Sequence, residues 1–199
     1  MAISARQFEE LQKRVSGATR KPAPVFAAAQ RRKFELVLGI DPSLRGTGYG
    51  LIRLSKAAPT LVAQGTISCP AGWERSRCLA HIARTLRDVL KNNRPEVCVV
   101  EGLFYAQNLQ TALIMGEARG ASLATIAEAG IEIYEIAARK VKQAIVGYGA
   151  AQKAAVGRMV QRMLRLSEPP EPDAADALAL ALAFAHETGR AWLAGPKKI

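Results

Sequence analysis

The stretch FELVLGIDPSLRGTGYGLIRL, residues 34–54, constrains the fold more than any other part of the chain. Five of the seven residues from Glu35 to Asp41 are apolar or glycine, and Val37 is β-branched, so the run predicts a buried strand. It ends on a lone acid and turns through Pro42-Ser43 into a glycine-rich segment. GTGYGLIRL predicts a second strand, with Gly48 and Gly50 on one face where something approaches closely. TLVAQGTIS predicts a third, giving an antiparallel meander. Two readings of Asp41 are open at this point. It stabilises the bend as a turn residue, or it holds a carboxylate rigidly at the edge of a sheet.

After the meander, strands and helices alternate. SRCLAHIARTLRDVLKNN carries an apolar helical stripe through Leu79, Ile82, Ala83, Leu86, Val89 and Leu90, and Pro95 follows its end. VCVVE is a short, continuously apolar strand, expected to be central and buried on both faces. NLQTALIMGEARGASLATIAEAG predicts a long helix with Ala112, Gly116, Gly120 and Ala124 at every fourth position. That smooth stripe admits another backbone, either the sheet of the same chain or a second copy. IEIYEIA alternates as a strand, a basic segment follows, and DAADALALALAFAHETG closes the series as an apolar helix. The pattern predicts an α/β fold, a five-stranded mixed sheet with helices on its faces.

The expected division is a basic extension over 1–33, one domain over 34–190 and a basic tail over 191–199. At 199 residues and 49% apolar the chain can bury one good core. The first residues lack the apolar core of a secretory signal, and Glu9 and Glu10 argue against a transit peptide. No apolar run reaches transmembrane length, so no membrane association is expected. Cys69, Cys78 and Cys98 show neither disulfide nor zinc spacing, which fits a reducing cytoplasm. The formal net charge of +11 implies a polyanionic partner, and without a bulky amphipathic membrane face that partner is nucleic acid. Residues 1–33 hold eight Lys/Arg against two Glu, and residues 139–165 hold seven Lys/Arg and no acid.

The acids then fall into a pattern. Glu101 closes VCVVE as Asp41 closes the first strand. Asp173 and Asp176 are spaced i, i+3 at the start of the last helix and share one face. Alone, D-A-A-D reads equally as a helix cap favoured by the dipole. If the two strands are parallel neighbours, Asp41 and Glu101 stand about 5 Å apart. Like charges at about 4 Å repel by roughly 4 kcal/mol at an effective dielectric near 20, so such a cluster needs protons or cations. All-oxygen ligands select Mg²⁺ or Mn²⁺, and two such ions can activate a water and stabilise a leaving oxygen in phosphodiester hydrolysis. On this reading Asp41 is a metal ligand, and the glycines after it let the second strand and a substrate come close.

Four blocks, GIDPSLRGTGYGLI, VVEGLFYAQNLQTALIMGEARG, AARKVKQAIVGYGAAQKAAV and PDAADALALA, together resemble the RuvC-type Holliday-junction resolvases. The resemblance spans about residues 36–187 and implies an RNase H-like fold acting as a homodimer. It implies paired nicks in a four-way DNA junction, with two Mg²⁺ ions per site and Mn²⁺ as a substitute, beside a branch-migration motor of the RuvA and RuvB type. The family's four acidic ligands fall on Asp41, Glu101, Asp173 and Asp176. Its aromatic wedge falls on Phe104, beside Tyr105, and its DNA-holding lysines fall on Lys142 and Lys153. Ser43, Gly102 and Gln107 depart from the family's usual residues, the last two at positions that bear on junction contacts.

Each of these residues also has a plainer reading. Phe104 could be core packing, and Lys142 and Lys153 could be a solvated basic face extended by Arg158, Arg162 and Arg165. Trp73 and Trp192 are expected as packing anchors, and His81 and His186 as structural or surface residues. An actin-like or sugar-kinase ATPase would need a second phosphate loop, which is missing from the sequence. Two alternatives remain: a related nuclease acting on RNA or RNA/DNA hybrid, and a non-catalytic junction-binding protein.

Overall fold

The computed structural model describes residues 34–102, 108–188 and 196–199. The expectations for residues 1–33, Phe104, Tyr105, Gln107 and Trp192 lie outside the described residues. Strands β1 (Leu36–Asp41), β2 (Gly46–Arg53) and β3 (Thr60–Ser68) form the antiparallel meander. Helix α1 (Arg75–Asn93) leads to β4 (Val97–Glu101), and α2 (Leu109–Glu128) leads to β5 (Glu132–Ile136). Helices α3 (Ala138–Val146), α4 (Lys153–Leu164) and α5 (Pro172–Thr188) follow, and β6 (Lys197–Lys198) comes last. The sheet runs β3-β2-β1-β4-β5-β6, with β1, β4 and β5 parallel.

Alternation along β1 and β4 builds a core on each face. Leu38, Ile40, Cys98 and Val100 point toward α1 and α2, where Ile82, Leu86 and Ile126 meet them. Val37, Val97 and Val99 point the other way, into Leu178, Leu182 and Phe184 of α5 and Val156 and Val160 of α4. Both strands are therefore buried on both sides, as the unbroken apolar run of VCVVE requires. Helix α5 is apolar all round because it lies directly on the sheet with α3 and α4 over it.

Two strand glycines set that contact. A Cβ on Gly39 would overlap the carbonyl oxygen of Ala177, and one on Gly48 would overlap the carbonyl oxygen of Asp173. The close approach read from the glycines is thus real, but the approaching group is the backbone of α5 and not a substrate. The small-residue stripe resolves differently. Helix α2 packs through Ala118, Ser122 and Ile126, while a Cβ on Gly116 or Gly120 would meet nothing within 4 Å. The stripe does not face the chain's own sheet.

The expected five strands become six. Lys197 and Lys198 pair with Glu135 and Tyr134 along the outer edge of β5. Lys198 Nζ lies 3.2 Å from Glu132 Oε1, and the Ile199 N–H donates to the Ile133 carbonyl at 3.0 Å. The end of the expected basic tail is therefore a short edge strand, formed because β5 presents open ladder groups and an acid to two lysines. Among the described residues no helix is long and apolar enough to cross a membrane.

Candidate active site

The bend after β1 is closed without Asp41. The Thr47 hydroxyl donates to the Ser43 carbonyl at 2.6 Å and accepts from the Ser43 N–H at 3.2 Å. Arg45 pins the same loop to the start of α1 by donating to the Pro70 carbonyl at 2.7 Å and the Trp73 carbonyl at 3.2 Å. The turn reading of Asp41 therefore gives way, since Thr47 closes the bend and the Asp41 carboxylate faces other acids.

Strands β1 and β4 run parallel with Ile40 opposite Val100, so the next residues, Asp41 and Glu101, emerge side by side where the strands end. Helix α5 begins at the same edge. Pro172 takes its first position, where the missing N–H costs nothing, and the Ala175 N–H donates to the Glu171 carbonyl at 2.8 Å. Asp173 thus lies within the first turn and is not its cap. Its carboxylate sits over the start of β2, where a Cβ on Gly46 would come within 2.5 Å of Asp173 Oδ2. Asp176, one turn on, accepts from Lys153 Nζ at 2.6 Å.

Glu101, Asp176, Lys142 and Lys153 line one cleft of about 130 Å³, with α3 supplying Lys142 and the first residue of α4 supplying Lys153. Arg158, Arg162 and Arg165 stay exposed along α4 and just beyond it. Trp73 packs on the α1 side with the Arg77 guanidinium 4.0 Å from its ring, and His81 meets its edge. Cys98 is fully buried and packs as a small hydrophobe.

The electrostatics of the cleft are those of crowded acids. Burial, and then the charges of Glu101 and Asp176, push the Asp41 carboxyl up to about 7, with Lys153 opposing the rise. Glu101 is also raised, by burial and then by Asp176, against Lys153, Lys142 and Arg119. Lys153 is raised chiefly by its hydrogen bond to Asp176. Among the described residues Lys142, Lys153 and Arg119 face four carboxylates, so the cluster has room for added positive charge. Among the described residues no group of three such side chains closes on one ion-sized point, and Lys153 already holds Asp176.

One feature of the site was missed in the sequence. Arg119 of α2 is 7% exposed, and its guanidinium donates to the backbone carbonyl of Glu101 and to Glu135 Oε2. A lone arginine within GEARGAS carries no pattern that separates it from a surface base; its burial follows from the packing of α2 against β4 and β5.

The profile of the family described as crossover junction endodeoxyribonuclease RuvC matches residues 37–186. The chain belongs to the RuvC family. It is 44% identical over 151 residues to the crossover junction endodeoxyribonuclease RuvC of Alkalilimnicola ehrlichii, covering 76% of this chain and 91% of that one. The RuvC of Syntrophomonas wolfei is 45% identical over 151 residues, covering 75% and 88%. Among solved structures, Thermus thermophilus RuvC in complex with a Holliday junction substrate superposes with a TM-score of 0.75 at 31% identity, covering 83% of this chain and 99% of that one. The fold is accordingly the RNase H-like α/β fold of RuvC, an enzyme family of phosphodiester hydrolases. Asp41 feels the charges of Glu101, Asp173, Asp176 and Lys153, and Glu101 and Asp176 share their cleft with Lys142 and Lys153.

Proposed function

We propose that this chain is a structure-selective endonuclease that resolves four-way DNA junctions in recombination and repair by paired, symmetric nicks. The observation that carries the reading is that two strand ends and the start of one helix bring four acids within electrostatic reach of one another, where burial and then the neighbouring acids push Asp41 up to about 7. Asp41, Glu101, Asp173 and Asp176 would hold the metal, Mg²⁺ with Mn²⁺ able to substitute, as two ions per site. Their all-carboxylate oxygens suit a hard divalent cation, and the charge shortage of the cleft suits one as well. Bound there, such ions supply an activated water and charge at the leaving oxygen. The chain's own side chains do the rest. The carboxylates fix where positive charge sits, and Lys142 and Lys153 take the phosphates on either side of it. Burial by α5 keeps bulk water from screening the cluster.

Phe104, shortly after Glu101 in the sequence, is proposed to wedge into the junction centre, as apolar side chains do when they unstack bases, with Tyr105 beside it contacting DNA. Two symmetric cuts call for two sites, and a two-fold homodimer supplies them. Leu109 and Leu113, 76% and 59% exposed, share the open face of α2 with Gly116 and Gly120 and make it the candidate interface. We take residues 34–190 as the nuclease domain. The net charge of +6 over residues 1–33, from eight Lys/Arg and two Glu, serves as extra phosphate-binding charge. A branch-migration motor of the RuvA and RuvB type is the expected partner, in the cytoplasm.

The test is cleavage of a synthetic four-way junction, a linear duplex and an RNA/DNA hybrid side by side, with Mg²⁺ and with chelator. Paired nicks in the junction alone, lost in Asp41→Asn while gel-shift affinity persists, are the expected result. Equal cutting of the hybrid would move the reading to a related RNA-directed nuclease. Binding without any cutting would make the chain a junction-binding protein.

A further inference from the structure

Buried arginines are rare because an unpaired charge in the interior is strongly destabilising. Among the described residues Arg119 has two hydrogen-bond partners, and one of them is a charge. Nη2 lies 2.5 Å from Glu135 Oε2 in β5, and Nη1 donates to the peptide carbonyl of Glu101 at the end of β4. Glu135 is 29% exposed and open to water, so it does not itself require a buried cation. The second bond is different. It grips the backbone that carries the Glu101 side chain, at the point where the next N–H, of Gly102, makes its bond to the Ile136 carbonyl at 2.9 Å. A planar guanidinium with fixed donors sets two partners in a defined geometry, which a lysine cannot do. Three elements, α2, β4 and β5, thus meet at one side chain beside the proposed metal ligand.

We propose that Arg119 is a positioning residue for the reaction, holding the end of β4 so that the Glu101 carboxylate stands correctly beside Asp41. The inference rests on the nuclease reading above. Arg119 touches neither substrate nor the reacting atoms and acts only through Glu101. Its loss therefore misplaces a ligand and leaves the phosphate-binding lysines untouched.

The experiment uses full-length protein and separates positioning from simple stability. Arg119→Met combined with Glu135→Leu replaces the ion pair by apolar groups of similar volume, a change that is often neutral or stabilising. That double variant is expected to melt close to wild type and to bind the four-way junction with wild-type affinity. Its saturated nicking rate should fall roughly 10- to 100-fold, the scale of an ångström-level misplacement. The Mg²⁺ concentration for half of the metal-induced thermal shift, measured without DNA, should rise several-fold. Arg119→Lys keeps one donor and should recover part of the rate. Glu135→Gln keeps an acceptor for Arg119 and should lose less than Arg119→Lys. A double variant with wild-type rate and wild-type Mg²⁺ midpoint would overturn the proposal. So would a rate loss that only follows the lost folded fraction, or a Glu135→Gln loss as deep as that of Arg119→Lys. Wild-type protein that cuts no junction would instead overturn the nuclease reading, so the two failures are distinguishable.

Discussion

Lys153 and Asp176 join the start of α4 to the second turn of α5 through a 2.6 Å hydrogen bond between an exposed ammonium and a largely covered carboxylate. The lysine occupies an oxygen that the proposed metal site also needs. A cation entering the cluster must therefore compete with Lys153, and the ammonium would be released toward phosphate. Lys153→Met is expected to lower the Mg²⁺ concentration at half of the metal-induced thermal shift. Junction affinity should weaken in the same variant, through loss of a phosphate contact. An unchanged or raised Mg²⁺ midpoint would show that the two do not compete.

The carboxyl of Asp41 gives the metal-free protein a pH dependence of known sign. Its folded value of about 7 lies above the 3.8 of an unstrained Asp, so the folded state keeps a proton that the unfolded state releases. Stability from this group is complete below pH 3.8 and falls as pH rises through about 7. The shift corresponds to about 4 kcal/mol at most, from the difference of the two values at 1.36 kcal/mol per unit. Asp41→Asn should therefore melt higher than wild type at pH 8 in chelator, and the gap should close toward pH 4. A gap that does not depend on pH would remove the account of Asp41 as raised by burial and then by its neighbouring acids.

Gly48 lies under the backbone of α5 at Asp173. Gly48→Ala should push the helix off the sheet and destabilise the fold by about 3 kcal/mol, the upper end of ordinary overpacking costs. Because the displaced turn carries Asp173, nicking should fall further than the folded fraction measured by urea denaturation. Wild-type stability in this variant would mean that the helix has slack at this contact.

Gly116 is the counter-case, since a side chain there would meet none of the described residues within 4 Å. Gly116→Leu should keep or slightly raise the stability of the single chain, because leucine is the better helix former by roughly 1 kcal/mol. Light scattering at micromolar concentration should nevertheless show a weakened dimer, and junction resolution should lose the second nick before the first. A wild-type protein that is monomeric and still resolves junctions would refute the interface.

Parts of this were legible in the sequence for clear physical reasons. An apolar run must be buried, so an acid at its end has to emerge at the edge of the sheet; Asp41 and Glu101 follow from that. Asp173 and Asp176 were legible as a pair by spacing, yet a place near the start of a helix fits dipole stabilisation equally well, and what separates the readings is the contact of Asp173 with β2 and of Asp176 with Lys153. Gly48 and Gly50 announced a close approach without naming the helix that makes it, because Gly48 and Asp173 are far apart along the chain. Arg119 was illegible, since burial of a charge depends on partners from β4 and β5 that no local window contains. Strand β6 was missed for a similar reason: two lysines have little strand propensity, and β5's open edge creates the pairing.

The double-sided burial of β1 and β4 has a consequence for motion. Each strand belongs to both half-cores at once, so neither can open without breaking packing on both faces. Their amides should be among the slowest to exchange with deuterium, at free energies close to global unfolding. Asp41 and Glu101 are the last residues of these two strands. These two of the four proposed metal ligands are thus mounted on strands expected to be among the least fluctuating of the described residues.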